Sequence, residues 1–209
     1  MHKFFYITTV KTPKVLNSDN YLYGFQTNSI NNKELVKHCL EIEQTLISNF
    51  ALIDPKWHGN VPAAHNHKYN LLTFPGPDLN RLYAELVKNI TPLLEDKIYV
   101  IKSWLNVFRK GEKIDWHPHW QPEHKVWHGF YCAQVGNSFT EYRIPNIEKT
   151  VKVVSKEGLI VIGKSAGDEH SSSVWKESKR PRITIAFDII PVEAVPNKLY
   201  GNHFIPFKI

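Results

Sequence analysis

A chain of 209 residues, 42% hydrophobic and 22% charged, has the composition of a single folded domain and not that of a disordered polymer. No apolar run reaches the roughly 20 residues of a membrane helix, and the N-terminal FFYITTV leads into KTPK and not into a small-residue cleavage site, so neither a membrane span nor a signal peptide is expected. The two cysteines, Cys39 and Cys132, exclude a disulfide framework and a CxxC motif and make a reducing cytoplasm the default, while a net charge of +6 without any basic block permits a nucleic-acid partner but does not point to one.

In chain order, NNKELVKHCLEIEQTLISNF sets Leu35, Val36, Cys39, Leu40, Leu46 and Ile47 at helical spacing, with Asn31 and Glu34 in a capping relation. This predicts a surface helix with one buried face. The next segment, DPKWHGNVPAAHNHKYN, reads as loop. A second helix is predicted in PDLNRLYAELVKNITPLLED, with Asp78 as N-cap, Leu79, Leu82, Leu86 and Val87 on its core face, and Pro92 disturbing its end.

Near residue 97 the period changes. IYVIKSWLNVF, VWHGFYCAQV, SFTEYRI, TVKVV, GLIVIG and RITIAFDII are short, rich in β-branched and aromatic residues, and separated by turn residues. Helices first and strands afterwards predict a mainly β fold in which flanking N-terminal helices pack on one face of an antiparallel β core. No internal repeat divides the chain. A single domain over 1–209 is expected, with 1–97 as a helical and loop buttress, 98–191 as a sandwich or barrel core carrying the site, and 192–209 as a C-terminal tail.

The chemistry concentrates around DWHPHW, residues 115–120. On a strand, positions i and i+2 share a face, so His117 and His119 can present two imidazoles to one metal ion. Trp104, Trp116, Trp120 and Trp127 cluster around them. A second HxH, His65-Asn66-His67, lies in the loop-like segment. Further on, His170 follows the strand in EGLIVIGKSAGDEH as a third ligand, and Arg182 opens RITIAF, where its planar fork suits a carboxylate.

The stretches WLNVFRKGEKIDWHPHW, WHGFYCAQV, EGLIVIGKSAGDEHSSSV and RPRITIAFD, which together span residues 104–188, resemble the Fe(II)/2-oxoglutarate-dependent oxygenases, in particular their prolyl-hydroxylase-like branch. The resemblance implies a double-stranded β-helix, the jelly-roll or cupin-like barrel, with helices on one sheet. It implies Fe(II) on His117, His119 and His170, with Arg182 holding the far carboxylate of 2-oxoglutarate and Thr184 assisting that arginine. Tyr131 and Asn106 fall where the family places further pocket residues. The implied reaction consumes O2, decarboxylates 2-oxoglutarate to succinate and CO2, and hydroxylates a substrate that the sequence does not identify, a peptidyl residue being slightly favoured and a nucleic acid permitted.

One departure concerns the metal. The usual triad contains a carboxylate in an HxD or HxE motif, and His119 occupies that position here. Asp115, and more distantly Glu123, remain alternatives for the third ligand. Two other readings stay open: a three-histidine cupin-type oxygenase that uses no 2-oxoglutarate, and a non-catalytic binding barrel. Arg182 discriminates against the cupin-type reading, in which there is no reason for a cation there, whereas tight iron binding without 2-oxoglutarate turnover would favour the non-catalytic barrel. His58, His65, His67, His124 and His128 are expected to be structural or exposed, except that His124 and His128 flank the entrance, where they could touch substrate. Lys110, Lys113 and Lys125 are expected on a solvated face.

Overall fold

The computed structural model describes residues 4–5, 14–15, 21–49, 61–145, 148, 150–195 and 203–209; His58 and residues 54–60 of the expected loop lie outside these. In chain order the elements are β1 (Phe4–Phe5), β2 (Lys14–Val15), β3 (Leu22–Gln26), α1 (Asn32–Asn49), α2 (Pro77–Ile90) and β4 (Tyr99–Phe108). They continue with β5 (His117–Pro118), β6 (Trp127–Gln134), β7 (Phe139–Arg143), β8 (Val151–Val154), β9 (Leu159–Lys164), β10 (Glu169–Ser172), β11 (Arg182–Pro191) and β12 (Ile205–Lys208). Among the described residues no helix is long and apolar enough to cross a membrane.

The strands form two sheets. The larger runs β12-β4-β11-β6-β9-β3-β2 and the smaller β1-β8-β7-β10-β5. Pairing is antiparallel throughout except between β1 and β8. Strand β11 shows how the sheets stack. Ile183, Ile185, Phe187 and Ile189 point to one side, into a core shared with α1 and α2, while Arg182, Thr184, Ala186 and Asp188 point to the other, toward the smaller sheet. A second core, in which Phe130, Cys132 and Val161 meet Tyr142, Val151 and Val153, glues the two sheets face to face.

Helix α1 buries the stripe Leu35, Cys39, Ile42 and Leu46. The backbone N–H of Glu34 donates to Oδ1 of Asn31 at 3.4 Å, the expected cap. Helix α2 starts one residue before the expected cap. Pro77 occupies its first turn after Gly76, because a fixed φ and a missing N–H suit that position. Asp78 therefore lies inside the helix, where its carboxylate accepts from the Asn31 N–H at 3.0 Å and from Arg81 at 2.9 Å. Pro92 falls in the 3-10 turn Thr91–Leu93 that follows α2.

Three segments are more ordered than the sequence suggested. Residues 62–68 of the expected loop form 3-10 turns, and the loop end is tied to β4: Tyr69 Oη accepts from the Leu105 N–H at 2.8 Å and Asn70 Nδ2 donates to the Ile101 carbonyl at 3.0 Å. From the buttress, β3 pairs with β9. From the tail, β12 pairs with β4. Strands from both ends of the chain thus cover edges that the central β core would leave bare.

Candidate metal centre

Between the sheets lies a cavity of ≈520 Å³, lined from the larger sheet by β4, β6 and β11 and from the smaller by β5, β7 and β10. The short pairing of β5 with β10 sets His117 directly opposite His170. Their rings stand 4.4 Å apart, and His119, just past β5, brings its ring to 5.1 Å from His117 and 4.5 Å from His170. One ligand nitrogen from each of the three lies within 4.8 Å of the others.

The protonation of this cluster suits a cation. His117 donates its Nδ1 hydrogen to the Asp115 carbonyl at 2.8 Å, which leaves Nε2 as the free lone pair. Burial pushes the pKa of His117 down and those of His119 and His170 well down, so the rings are neutral at physiological pH. Neutral imidazole is the ligating form.

Two residues that the sequence reading did not count as metal ligands stand beside the cluster. His128, on β6 and expected at the entrance, is buried in the cavity wall, and its ring stacks on His119 at 3.8 Å. Asp168, fully buried, sets Oδ2 3.1 Å from His128 Nε2 and accepts at Oδ1 from Tyr21 Oη at 2.5 Å and from the Ala166 N–H at 3.3 Å. His128, Asp168 and His170 form a second set with ligand atoms within 4.8 Å, so two possible donor sets share His170. The signals were present but faint: His128 has the same strand parity as Phe130 and Cys132, which face the smaller sheet, and Asp168 precedes His170 by two positions.

At the other end of the wall Arg182 is 3% exposed. Its Nη2 reaches Thr140 Oγ1 only at 3.5 Å, and its Nε, buried, has no partner. Among the described residues no carboxylate forms an ion pair with it. Burial pushes its pKa down from the usual arginine range, yet a guanidinium stays charged in proteins. Beside it Asn106 Nδ2 donates to Thr184 Oγ1 at 3.3 Å, and Asn106 Oδ1 is buried without a partner. A cation with unspent donors, flanked by amide and hydroxyl groups, is an arrangement for a carboxylate ligand.

Other expected residues fall elsewhere. Tyr131 is a correction: it has the opposite parity to His128, packs in the helix-side core, and donates from Oη to Asn32 Oδ1 at 2.5 Å, away from the cavity. Asp115 turns its exposed carboxylate to Lys113 at 2.6 Å, and Glu123 is exposed on a 3-10 turn, so neither side chain lines the cavity. His124 lines it, as do Trp104 and Trp120, whereas Trp127 packs on the helix side and Trp116 lies under Arg143. His65 is buried outside the cavity lining. Lys125 meets Glu95 at 3.3 Å and Lys110 is exposed, in keeping with a solvated face.

No family model matches the chain, and no curated protein matches it. Solved structures do. A non-heme monooxygenase, ThoJ in a nickel complex, aligns at 14% identity over 80% of this chain and 72% of its own, with a TM-score of 0.50. The non-heme alpha ketoglutarate dependent epimerase SnoN, from nogalamycin biosynthesis, aligns at 9% identity over 85% and 81%, with a TM-score of 0.54. EctD from S. alaskensis, in its apoform, aligns at 13% identity over 86% and 76%, with a TM-score of 0.53. At such identities the likeness is one of fold.

Proposed function

We propose that this chain is an Fe(II)- and 2-oxoglutarate-dependent dioxygenase on a double-stranded β-helix, with His117, His119 and His170 as iron ligands. The carrying observation is Arg182, a buried cation with unspent donors and no carboxylate partner among the described residues, in the same cavity as three converging neutral imidazoles. A cupin-type oxygenase without 2-oxoglutarate has no use for that cation, and a non-catalytic barrel is told apart by iron binding without 2-oxoglutarate turnover. Buried charge is costly unless it is met, so its persistence argues for an acidic ligand. The fold shared with a non-heme monooxygenase and with a non-heme alpha ketoglutarate dependent epimerase agrees with this reading.

The donor set fits a divalent first-row metal, since all three candidate ligands are neutral imidazoles. When bound, iron with 2-oxoglutarate supplies the oxidation: O2 places one oxygen atom in the substrate as a hydroxyl and the other in succinate, with release of CO2. The tasks of the chain are distinct. His117 is held in one tautomer by the Asp115 carbonyl. Arg182 clamps the distal carboxylate through its two-pronged face, and Asn106 and Thr184 supply a donor and acceptors next to it. Phe108 and Phe130 line the same cavity and help to exclude water.

The test is an anaerobic titration of the metal-free protein with Fe(II) and then 2-oxoglutarate, read by the visible charge-transfer absorption of a chelated keto acid. The expected result is a band that Arg182→Ala removes while Fe(II) still binds. Iron binding with no band at saturating 2-oxoglutarate overturns the proposal.

A further inference from the structure

The wall that carries Arg182 at one end carries a second pair of charged groups at the other. Asp188 on β11 lies directly opposite Lys102 on β4 in the antiparallel register, and both line the cavity. Asp188 is 9% exposed. Its Oδ2 accepts from Trp120 Nε1 at 3.0 Å, but its Oδ1 is buried without a hydrogen-bond partner. Lys102 is half-buried and, among the described residues, forms no ion pair; the two charges influence each other without meeting. Nδ1 of His124, another lining residue, is also buried and unpartnered. Nothing in the metal or carboxylate chemistry described above uses these groups.

A ligand that satisfies this end must bring a donor to Asp188 and an acceptor to Lys102. The two wall charges cancel, so a lone cation leaves Lys102 facing it, and a lone anion leaves Asp188 facing it. A molecule neutral overall with both signs on adjacent atoms leaves neither. Directly opposite residues of an antiparallel pair have Cβ atoms about 5 Å apart, a spacing that one small zwitterion can bridge. Ala186, the inward residue between Asp188 and Thr184, keeps the wall low between this pair and the Arg182 end.

Building on the oxygenase reading, we propose that the substrate is a free α-amino acid, its ammonium on Asp188 and its carboxylate on Lys102, with its side chain running along the wall toward the histidine cluster. A residue inside a peptide has neither charge. An N-terminal residue satisfies Asp188 alone, and a C-terminal residue satisfies Lys102 alone.

The experiment is calorimetric and saturation-transfer NMR titration of the metal-free protein with each of the common L-amino acids and with their N-acetyl and carboxamide derivatives. At least one free amino acid is expected to bind, with either cap weakening it about tenfold or more, and Asp188→Asn and Lys102→Met each weakening it by about as much. The two variants test opposite ends of the ligand from different strands, so a melting curve on each identifies a folded one to decide the matter. Absence of binding by every free amino acid overturns the proposal, as do equal binding of the capped forms, which indicates a peptide, and full affinity in a folded variant. Because no metal is present, a missing charge-transfer band overturns the oxygenase reading without touching this result, and the converse also holds.

Discussion

Nε2 of His119 stands 3.1 Å from Nδ1 of His170, joining residues 51 positions apart in the chain. At this distance one nitrogen donates and the other accepts, so the two rings share a single proton between them. A divalent ion that takes both facing nitrogens breaks this hydrogen bond and leaves each neutral ring with its proton on its other nitrogen, so binding weakens only at a pH low enough to protonate the rings. His170 belongs to both donor sets, so His170→Ala is expected to lower Co(II) affinity by about 100-fold or more. His117 belongs to one set. His117→Ala is expected to cause a comparable loss, read from the visible absorption of bound Co(II). Unchanged affinity in His117→Ala, together with loss in Asp168→Ala, moves the ion to His128, Asp168 and His170.

Asp168 places a fixed negative charge beside a cluster of neutral imidazoles. Burial pushes its carboxyl pKa up, but His128, by proximity and charge, and the Tyr21 hydroxyl outweigh burial and hold it at about 2. A carboxylate depressed on folding contributes stability that is present above its unfolded value and lost as pH falls toward the folded one, here between about pH 4 and pH 2. Asp168→Asn is expected to cost about 2 kcal/mol at pH 7 in the metal-free protein. Urea unfolding at pH 7 and at pH 3 checks this. The gap between wild type and variant must shrink at the lower pH, and an equal gap at both refutes the assignment of charge.

Arg182 sets ligand binding against stability. A buried guanidinium without an acid partner is less favourable than an apolar side chain of similar volume. Arg182→Met is therefore expected to raise the stability of the ligand-free protein by about 1–2 kcal/mol. The same variant is expected to lose the rise in melting temperature that 2-oxoglutarate gives the wild type. Arg182→Lys, which keeps charge but not the fork, is expected to weaken 2-oxoglutarate about tenfold or more. Thermal melts with and without the keto acid read all three, and protection of Arg182→Met equal to wild type removes the residue from the ligand site.

The parts of this fold that sequence made readable are those with a strong period. The stripe from Leu35 to Leu46 and the alternation of β11 between Ile183 and Asp188 each specify an element and its faces locally. Parity along β6 was harder, because Trp127, Phe130, Tyr131 and Cys132 are apolar or aromatic on both faces. The resemblance put Tyr131 in the pocket, and with no polar face to set the register nothing local in β6 marked His128 as the inward residue; a shift of one residue exchanges the faces. Strand β10, Glu169–Ser172, carries no apolar alternation, since its inward residues His170 and Ser172 line the polar cavity. Two-residue strands such as β5 are defined by distant partners and have no local signature.

Glu43 extends the core face of α1 and is 0% exposed, a position an isolated carboxylate does not hold. Arg109, one residue beyond β4, grips it with two prongs, Nη1 to Oε1 at 2.8 Å and Nη2 to Oε2 at 2.9 Å. The same turn leads directly into the segment bearing His117, with the Gly111 N–H donating to the Trp175 carbonyl at 2.8 Å. The pair therefore anchors the base of the metal-bearing loop to α1. Arg109 is half-exposed, so its contribution is screened, but its loss leaves a buried charge unmatched. Arg109→Ala is expected to destabilise by about 2–3 kcal/mol. Glu43→Leu with Arg109→Ala is expected to recover most of this, because the unmatched charge is gone. Urea midpoints of the two singles and the double close the cycle. A loss below about 0.5 kcal/mol in Arg109→Ala, the range of an ordinary surface substitution, means that the ion pair does not anchor the loop.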